Sequence, residues 1–413
     1  MHSHNILARL SAAALLAALA ASSGPLALGG SASAADAVIK IGIDLPVSGG
    51  DAAQGIPTRN GAVLAIEQAN ARHATGGFQL QAYDLDDAVQ GAHDPAQGAQ
   101  NVKNFVSDAA VVSMFGPFNS SVAKAEIPIA NDAGLAMIAA STTNPGLTKG
   151  EDAKKLRISH PDVNVFFRVC TTDDRQGAVG ARFARKFGYK KVFVVDDNET
   201  YGKGLADVFD ASFKSMGGTV LGHEHLTKGQ TDFKALLTKI AALGPDVVFF
   251  GGTTVTGGGL LRKQMGDSPL KSVTYFGGDG ISDATFLTTA GAMATNVYYT
   301  VAAPDSAKLP TAQAFIAAYK KRWNTDIGAY SANAYSATMI EIAAIEKAMK
   351  ANGGKIPTRA EVLKNIAATK NFDTPIGKIG FDANGDTVSG ILSLYKITDG
   401  KAEFVDQVSE PST

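Results

Sequence analysis

From Val38 onward, short and almost wholly apolar runs alternate with stretches of helical periodicity, and no other feature constrains the fold as strongly. The runs include VIKIGIDL (38–45), VVSMF (111–115), AMIAA (136–140), KVFVVDD (191–197), DVVFF (246–250) and NVYYTV (296–301). Between them lie helical patterns such as NGAVLAIEQANAR (60–72) and QGAVGARFARKFG (176–188). Strands that are apolar at nearly every position are covered on both faces, and intervening helices supply the crossovers of a parallel sheet. The fold class is therefore α/β. At 413 residues the chain is too long for one such sheet, and two α/β lobes are the natural division. The first strand–helix run ends near FFRVC (166–170), and the second opens with the helix at Gln176. Around Tyr299–Ala303 the pattern changes to long helices over 311–323 and 332–350. A β tail, IGKIGFD (376–382) and ILSLYKI (391–397), follows, with the turn ANGD (383–386) between its strands.

The first 34 residues have a different character. Arg9 supplies positive charge, a run rich in Ala and Leu extends from Leu10 to Leu28, and Ala32-Ser33-Ala34 follows. That order predicts a cleaved secretory signal peptide over residues 1–34. Ser22, Ser23, Gly24 and Pro25 break the apolar run too early for a membrane span of roughly 20 residues. The one cysteine, Cys170, lies far from the cleavage point, so the expected location is the periplasm without a lipid anchor. A single cysteine cannot close a disulfide within the chain, which leaves stability to apolar cores. With 38 basic and 39 acidic residues there is no basic excess to neutralise a phosphate backbone, so nucleic acid is not an expected partner.

The motifs of catalysis are missing. Gly251-Gly252-Thr253-Thr254-Val255-Thr256-Gly257-Gly258-Gly259 follows a strand and opens a helix, but it lacks the G-x-G-x-x-G spacing, and no G-K-[ST] occurs. It reads either as a backbone that approaches a ligand closely or as a tight strand–helix turn. Asp382-Ala383-Asn384-Gly385-Asp386 begins like a calcium loop but has Thr387 at the sixth position and Ser393 at the twelfth, and reads as a hairpin turn. His223 and His225 share one face if strand-borne, yet no Cys or further His is close in sequence, so no metal site is expected. No nucleophile elbow or zinc-protease motif is present, and Cys170 has no signature of a catalytic thiol. No enzyme activity, cofactor or metal is expected.

Polar residues gather instead at strand ends, where open α/β sheets bind ligands. After VVSMF comes Gly116-Pro117-Phe118-Asn119-Ser120-Ser121 and then a helical pattern. Ser120 or Ser121 would cap that helix, whose free N–H groups and positive dipole end favour a carboxylate. After AMIAA comes Ser141-Thr142-Thr143-Asn144-Pro145, a second group of hydroxyls one βα unit later. In the second lobe Asp279 stands between Gly278 and Gly280 at a strand end, placed to receive an ammonium group, and Tyr201 begins a helix just past another strand. Carboxylate donors on one lobe and an acid on the other suit a zwitterion.

At this point the chain resembles the branched-chain amino-acid-binding proteins of bacterial ABC transporters, a subgroup of the type I periplasmic binding proteins. The resemblance rests on Pro46-Val47-Ser48-Gly49, Asn60-Gly61-Ala62, Asp84-Leu85-Asp86-Asp87 with Asp94-Pro95, and Ser120-Ser121. Thr143-Asn144-Pro145, Asp197-Asn198-Glu199-Thr200-Tyr201-Gly202-Lys203-Gly204 and Gly251-Gly252 continue it in order over nearly the whole chain. It implies the type I fold, two Rossmann-like lobes joined by a three-strand hinge crossing near Val169, Val301 and Ile379. The implied division is 35–169 plus 302–378 for the N-terminal lobe and 170–301 plus 379–413 for the C-terminal lobe. It implies that Ser120 or Ser121, Ser141 and Thr143 hold a ligand carboxylate, that Asp279 and Tyr201 take the ammonium end, and that Gln54, Thr253 and Tyr330 line a side-chain pocket. It further implies a monomer that closes on its ligand and docks on a permease in the inner membrane.

Three positions depart from the family pattern. Gln54 stands where leucine-binding members usually carry an aromatic residue, Thr253 where they carry a tyrosine, and Asp279 where they more often carry Glu. The altered walls allow a ligand larger or more polar than leucine. An alternative is the same clamp holding a solute without an amino group, such as an aromatic acid or an amide or urea-like compound.

Overall fold

The computed structural model describes residues 38–410. Five parallel strands form the first sheet: β1 (Val38–Leu45), β2 (Gln79–Asp86), β3 (Val111–Phe115), β4 (Ala136–Ala139) and β5 (Phe166–Arg168). Their order is β2-β1-β3-β4-β5. The second sheet contains β6 (Lys191–Asp196), β7 (Thr219–His225), β8 (Val247–Gly251), β9 (Thr274–Gly277) and β10 (Val297–Val301). The antiparallel pair β11 (Ile391–Thr398) and β12 (Lys401–Ser409) extends it, giving the order β12-β11-β10-β9-β8-β6-β7. Both sheets thus repeat one winding, in which the second strand lies outside the first and the chain then reverses direction. The reversal falls between β1 and β3 in one sheet and between β6 and β8 in the other, and such a switch point opens a crevice at the carboxyl ends of the strands.

The apolar runs behave as their composition dictates: every residue of VVSMF and of VVFFG is buried. The polar strands were less visible in the sequence. QLQAYDLD, TVLGHEH and KAEFVDQVS lie at sheet edges, where one face meets solvent and a continuous apolar run is not needed.

Helix α1 (Ala52–Ala71) begins eight residues before the periodic segment that marks it in the sequence. Its first turns carry Gln54, Pro57 and Thr58, which face the crevice rather than a core, so apolar periodicity starts late. The helices that matter for the site are α2 (Ser120–Ala133), α3 (Asp173–Lys186) and α4 (Thr200–Ser215). The long helix α5 (Ser331–Ala351) packs along α1 on the first sheet.

Three chain segments run side by side between the sheets. Thr171 N–H donates to Ala302 O, Thr171 Oγ1 donates to Ile391 O, and Arg168 N–H donates to Gly385 O. Arg168 is fully buried among them. Its guanidinium donates to Asp386 Oδ1 at 2.7 Å and to the carbonyls of Thr142 (2.7 Å) and Asn144 (2.8 Å), and also reaches Thr148 Oγ1. Burial pushes the Asp386 carboxyl up, but Arg168 and Lys149 outweigh it and hold the group below the usual carboxylate range. The Asp382–Asp386 segment is therefore a turn that presents a counter-ion to Arg168. Among the described residues no helix is long and apolar enough to cross a membrane.

Candidate functional site

The carboxyl ends of the two sheets face each other across a narrow cavity. The first sheet contributes Phe118, Asn119, Ser120 and Ser141, and the second Tyr201, Thr253, Asp279 and Gly280. Five of the residues singled out from the sequence thus meet in one place.

On the first side α2 begins at Ser120, with Asn119 as its N-cap in extended conformation and making no capping bond through its side chain. The amides of the first turn have no partner within the helix, and they point toward the cavity end. The serine hydroxyls have different fates. Ser120 Oγ accepts from Asn144 N–H at 3.3 Å, which leaves its own proton available. Ser121 Oγ donates to Glu199 Oε2 at 3.2 Å, and Ser141 Oγ donates to Phe118 O at 2.8 Å. Thr143 is fully buried, lies outside the cavity lining, and turns its hydroxyl toward Asp173. Arg168 positions the loop holding these residues through the carbonyls of Thr142 and Asn144.

On the second side Asp279 is 3% exposed and surrounded by neutral donors. Gln176 Nε2 donates to its Oδ1 at 2.5 Å, Tyr201 Oη to the same oxygen at 3.1 Å, and the Tyr330 hydroxyl also reaches the carboxylate. Burial is the largest influence on Asp279 and lifts its pKa above the ordinary value, which the donated bonds offset only in part. Neighbouring Asp173, also buried, is raised by burial and then by the charge of Asp279. With the backbone N–H of Asp279 itself, four donors reach the carboxylate, and none of them carries charge. No Lys or Arg lines the cavity. The flanking glycines are sterically required: a Cβ at Gly278 would lie 2.4 Å from Tyr201 Oη, and one at Gly280 would lie 2.2 Å from Gly252 O.

Gln54 and Tyr330 line an adjacent cavity that shares Phe118 with the first. The Phe118 and Tyr330 rings meet edge to face at 5.9 Å. Gln54 is a strut between the sheets: its Nε2 donates to Asp283 Oδ2 at 2.8 Å and to the carbonyls of Asp279 and Gly280. Tyr330 belongs with the acid through its hydroxyl. The glycine stretch at 251–259 makes its close approaches to protein, since a Cβ at Gly251 would lie 2.2 Å from Gly202 O and one at Gly252 2.6 Å from Asp197 Oδ2. Thr253 alone of that stretch lines the cavity, and its side chain accepts from Thr256 N–H to cap the turn that follows.

His93 makes the most prominent contact across the crevice that sequence reasoning missed. Its imidazole is buried, with Nδ1 2.8 Å from Asp51 Oδ2 on the first side and Nε2 2.8 Å from Glu199 Oε2 on the second. Burial alone would push His93 down, but hydrogen bonds and charge from Asp51 and Glu199 outweigh it and lift its pKa to about 10. The cation therefore ties two carboxylates together. Asn144 Nδ2 adds a bond to Thr200 O at 2.6 Å. Gln176 and Arg168 were also missed, although the Arg inside the apolar run FFRVC was a visible signal of a buried partner.

Residues 38–402 match the family described as periplasmic binding protein. The Leu/Ile/Val-binding protein homolog 3 of Brucella melitensis is 34% identical over 373 residues, covering 90% of this chain and 95% of that one. The branched-chain amino acid transporter substrate-binding protein LivJ of Streptococcus pneumoniae, solved in complex with isoleucine, superimposes with a TM-score of 0.77 at 29% identity, over 90% of this chain and 100% of that one. The leucine-binding protein LivK of Thermotoga maritima gives the same TM-score of 0.77 at 26% identity, over 90% and 99%. The two solved relatives share the fold of this chain over nine-tenths of its length, and the chain belongs to the periplasmic binding protein family.

Proposed function

We propose that this chain is the solute-binding component of an ABC importer, working in the periplasm after removal of residues 1–34, and that it holds a small amino acid between Asp279 and the amino end of α2. The observation that carries this reading is the pairing of opposite needs within one cavity. Asp279 is buried with neutral donors only and a raised pKa, so a ligand ammonium would supply the charge it lacks. Facing it, Ser120 keeps a free proton beside the unpaired amides of a helix start, which suits a carboxylate.

Closure brings residues 170–301 with 379–413 onto residues 35–169 with 302–378, about the three segments that join the sheets. His93, Gln54 and Ser121 make contacts that exist only when the two sides meet. A ligand that bridges Ser120 and Asp279 binds the closed form alone, and so shifts the population toward it. The monomer then presents its closed face to a permease. Branched-chain amino acids named for the relatives are the first candidates.

A thermal-shift panel of amino acids and aromatic acids tests the assignment. At a hundredfold excess over Kd a ligand adds about 2.7 kcal/mol of stability, which a melting curve resolves. Stabilisation by one or more aliphatic amino acids is expected. Stabilisation only by acids that lack an amino group would overturn it.

A further inference from the structure

Away from the cleft, the outer edge of the second sheet assembles a group that the sequence kept apart. β7 is the edge strand, and its parallel register sets His223 beside Val194 and His225 beside Asp196. The two imidazoles lie two residues apart on one face, as strand geometry requires. Asp196 closes β6 with a fully buried side chain. Its Oδ2 lies 2.7 Å from His223 Nε2 and 2.7 Å from His225 Nδ1, while Oδ1 accepts from Asn198 N–H at 2.8 Å. One ligand atom from each of the three side chains falls within 4.8 Å of the others. The third group comes from a strand 27 residues earlier, so the expectation of no metal site, which rested on sequence neighbours, could not take it into account.

We propose that Asp196, His223 and His225 form a binding site for a divalent first-row transition ion, with Zn²⁺ as the natural probe. Two imidazoles and one carboxylate are the donor set of open three-ligand zinc sites, which leave one position for water. That position exists here, because the His225 side chain is 45% exposed on the sheet edge. The outer sphere is also in place: His223 turns its other nitrogen to Asp210 Oδ2 at 3.3 Å, the carboxylate contact that orients a metal-bound imidazole. A simple His–Asp ion pair needs one imidazole, whereas here two converge on the same oxygen. The ion takes the two ring nitrogens that now face Asp196, so a proton on either of them moves to the other ring nitrogen or leaves to solvent as the ion enters. The 2.7 Å separations widen by roughly half an ångström to admit an ion about 2.0–2.1 Å from each atom, a shift that an edge strand allows. Asp196 leads directly into the loop that carries Glu199 and Tyr201, so an ion here would stiffen one wall of the cleft.

Chelator-stripped protein without a polyhistidine tag, titrated calorimetrically with Zn²⁺ and spectroscopically with Co²⁺, tests the site. One equivalent of Zn²⁺ and visible Co²⁺ absorption typical of a low-coordinate site are expected. His225→Gln, at a half-exposed position, and His223→Gln should each weaken Zn²⁺ at least about tenfold. Circular dichroism and the solute-induced thermal shift check that each variant remains folded. Absence of stoichiometric Zn²⁺ binding, or equal binding by the folded double variant, would overturn the assignment.

Discussion

Asp196 and Asp279 stand at the carboxyl ends of two strands of one sheet, both buried, and opposite kinds of donor surround them. Asp279 receives Gln176, Tyr201 and Tyr330, all neutral, and burial raises its pKa. Asp196 receives two imidazoles and the Asn198 amide; burial pushes it up as well, but these donors outweigh that and hold it low. The difference teaches how a buried carboxylate acquires a role. With neutral donors it is oriented but still short of positive charge, which a ligand can bring. With imidazoles its countercharge is built in and can be exchanged only for another cation.

The largest expected contrast is in ligand-free stability. Asp196→Asn removes a charged acceptor from two imidazoles and should cost about 2–3 kcal/mol, lowering Tm by several degrees. Asp279→Asn removes a charge that burial already disfavours, so it should leave Tm unchanged or raise it. Equal losses in the two variants, measured by calorimetry, would break the comparison.

His93 sharpens it as the reverse case, a buried cation held by two carboxylates. Asp51 and Glu199 contact it, and Asp87 and Asp197 also face it. Because its pKa is raised from 6.5 to about 10, its stabilisation is complete below pH 6.5 and is lost as pH rises through 10. His93→Gln should weaken solute binding roughly tenfold at pH 7, about 1.4 kcal/mol. The gap between wild type and variant should close toward pH 10, and a gap independent of pH would show that His93 does not act as a cation.

The smallest effects separate the two serines. Ser120→Ala should weaken solute binding about tenfold, the loss of a hydrogen bond to a charged group. Ser121→Ala removes only a bond to Glu199 Oε2, which His93 still holds, and should change affinity by less than about threefold. The opposite ranking in titration calorimetry would move the carboxylate to Ser121.

Much of the frame was legible because its cause is local. The runs at 38–45, 111–115 and 191–197 lie in strands buried on both faces, and apolar content alone marks such strands. Asp279 was legible because glycines flank it, and the structure shows why: Tyr201 and Gly252 leave no room for a Cβ. The cross-cleft and buried pairs were not legible. Gln54 meets Asp283 across 229 residues, Arg168 meets Asp386 across 218, and His93 meets Glu199 across 106. The local pattern can announce that a residue such as Arg168 has a buried partner, but it does not encode which residue that partner is. Ser120 and Ser121 were indistinguishable as adjacent hydroxyls, and only the positions of Asn144 and Glu199 tell them apart.

The central claim is that Asp279 supplies the acid that reads a ligand ammonium group. Titration calorimetry of wild type and Asp279→Asn with the amino acid that gives the largest thermal shift tests it directly. A charge-assisted bond contributes about 1.5–3 kcal/mol, so the variant should bind roughly tenfold to a hundredfold more weakly while remaining at least as stable. Unchanged affinity in the folded variant would contradict the account.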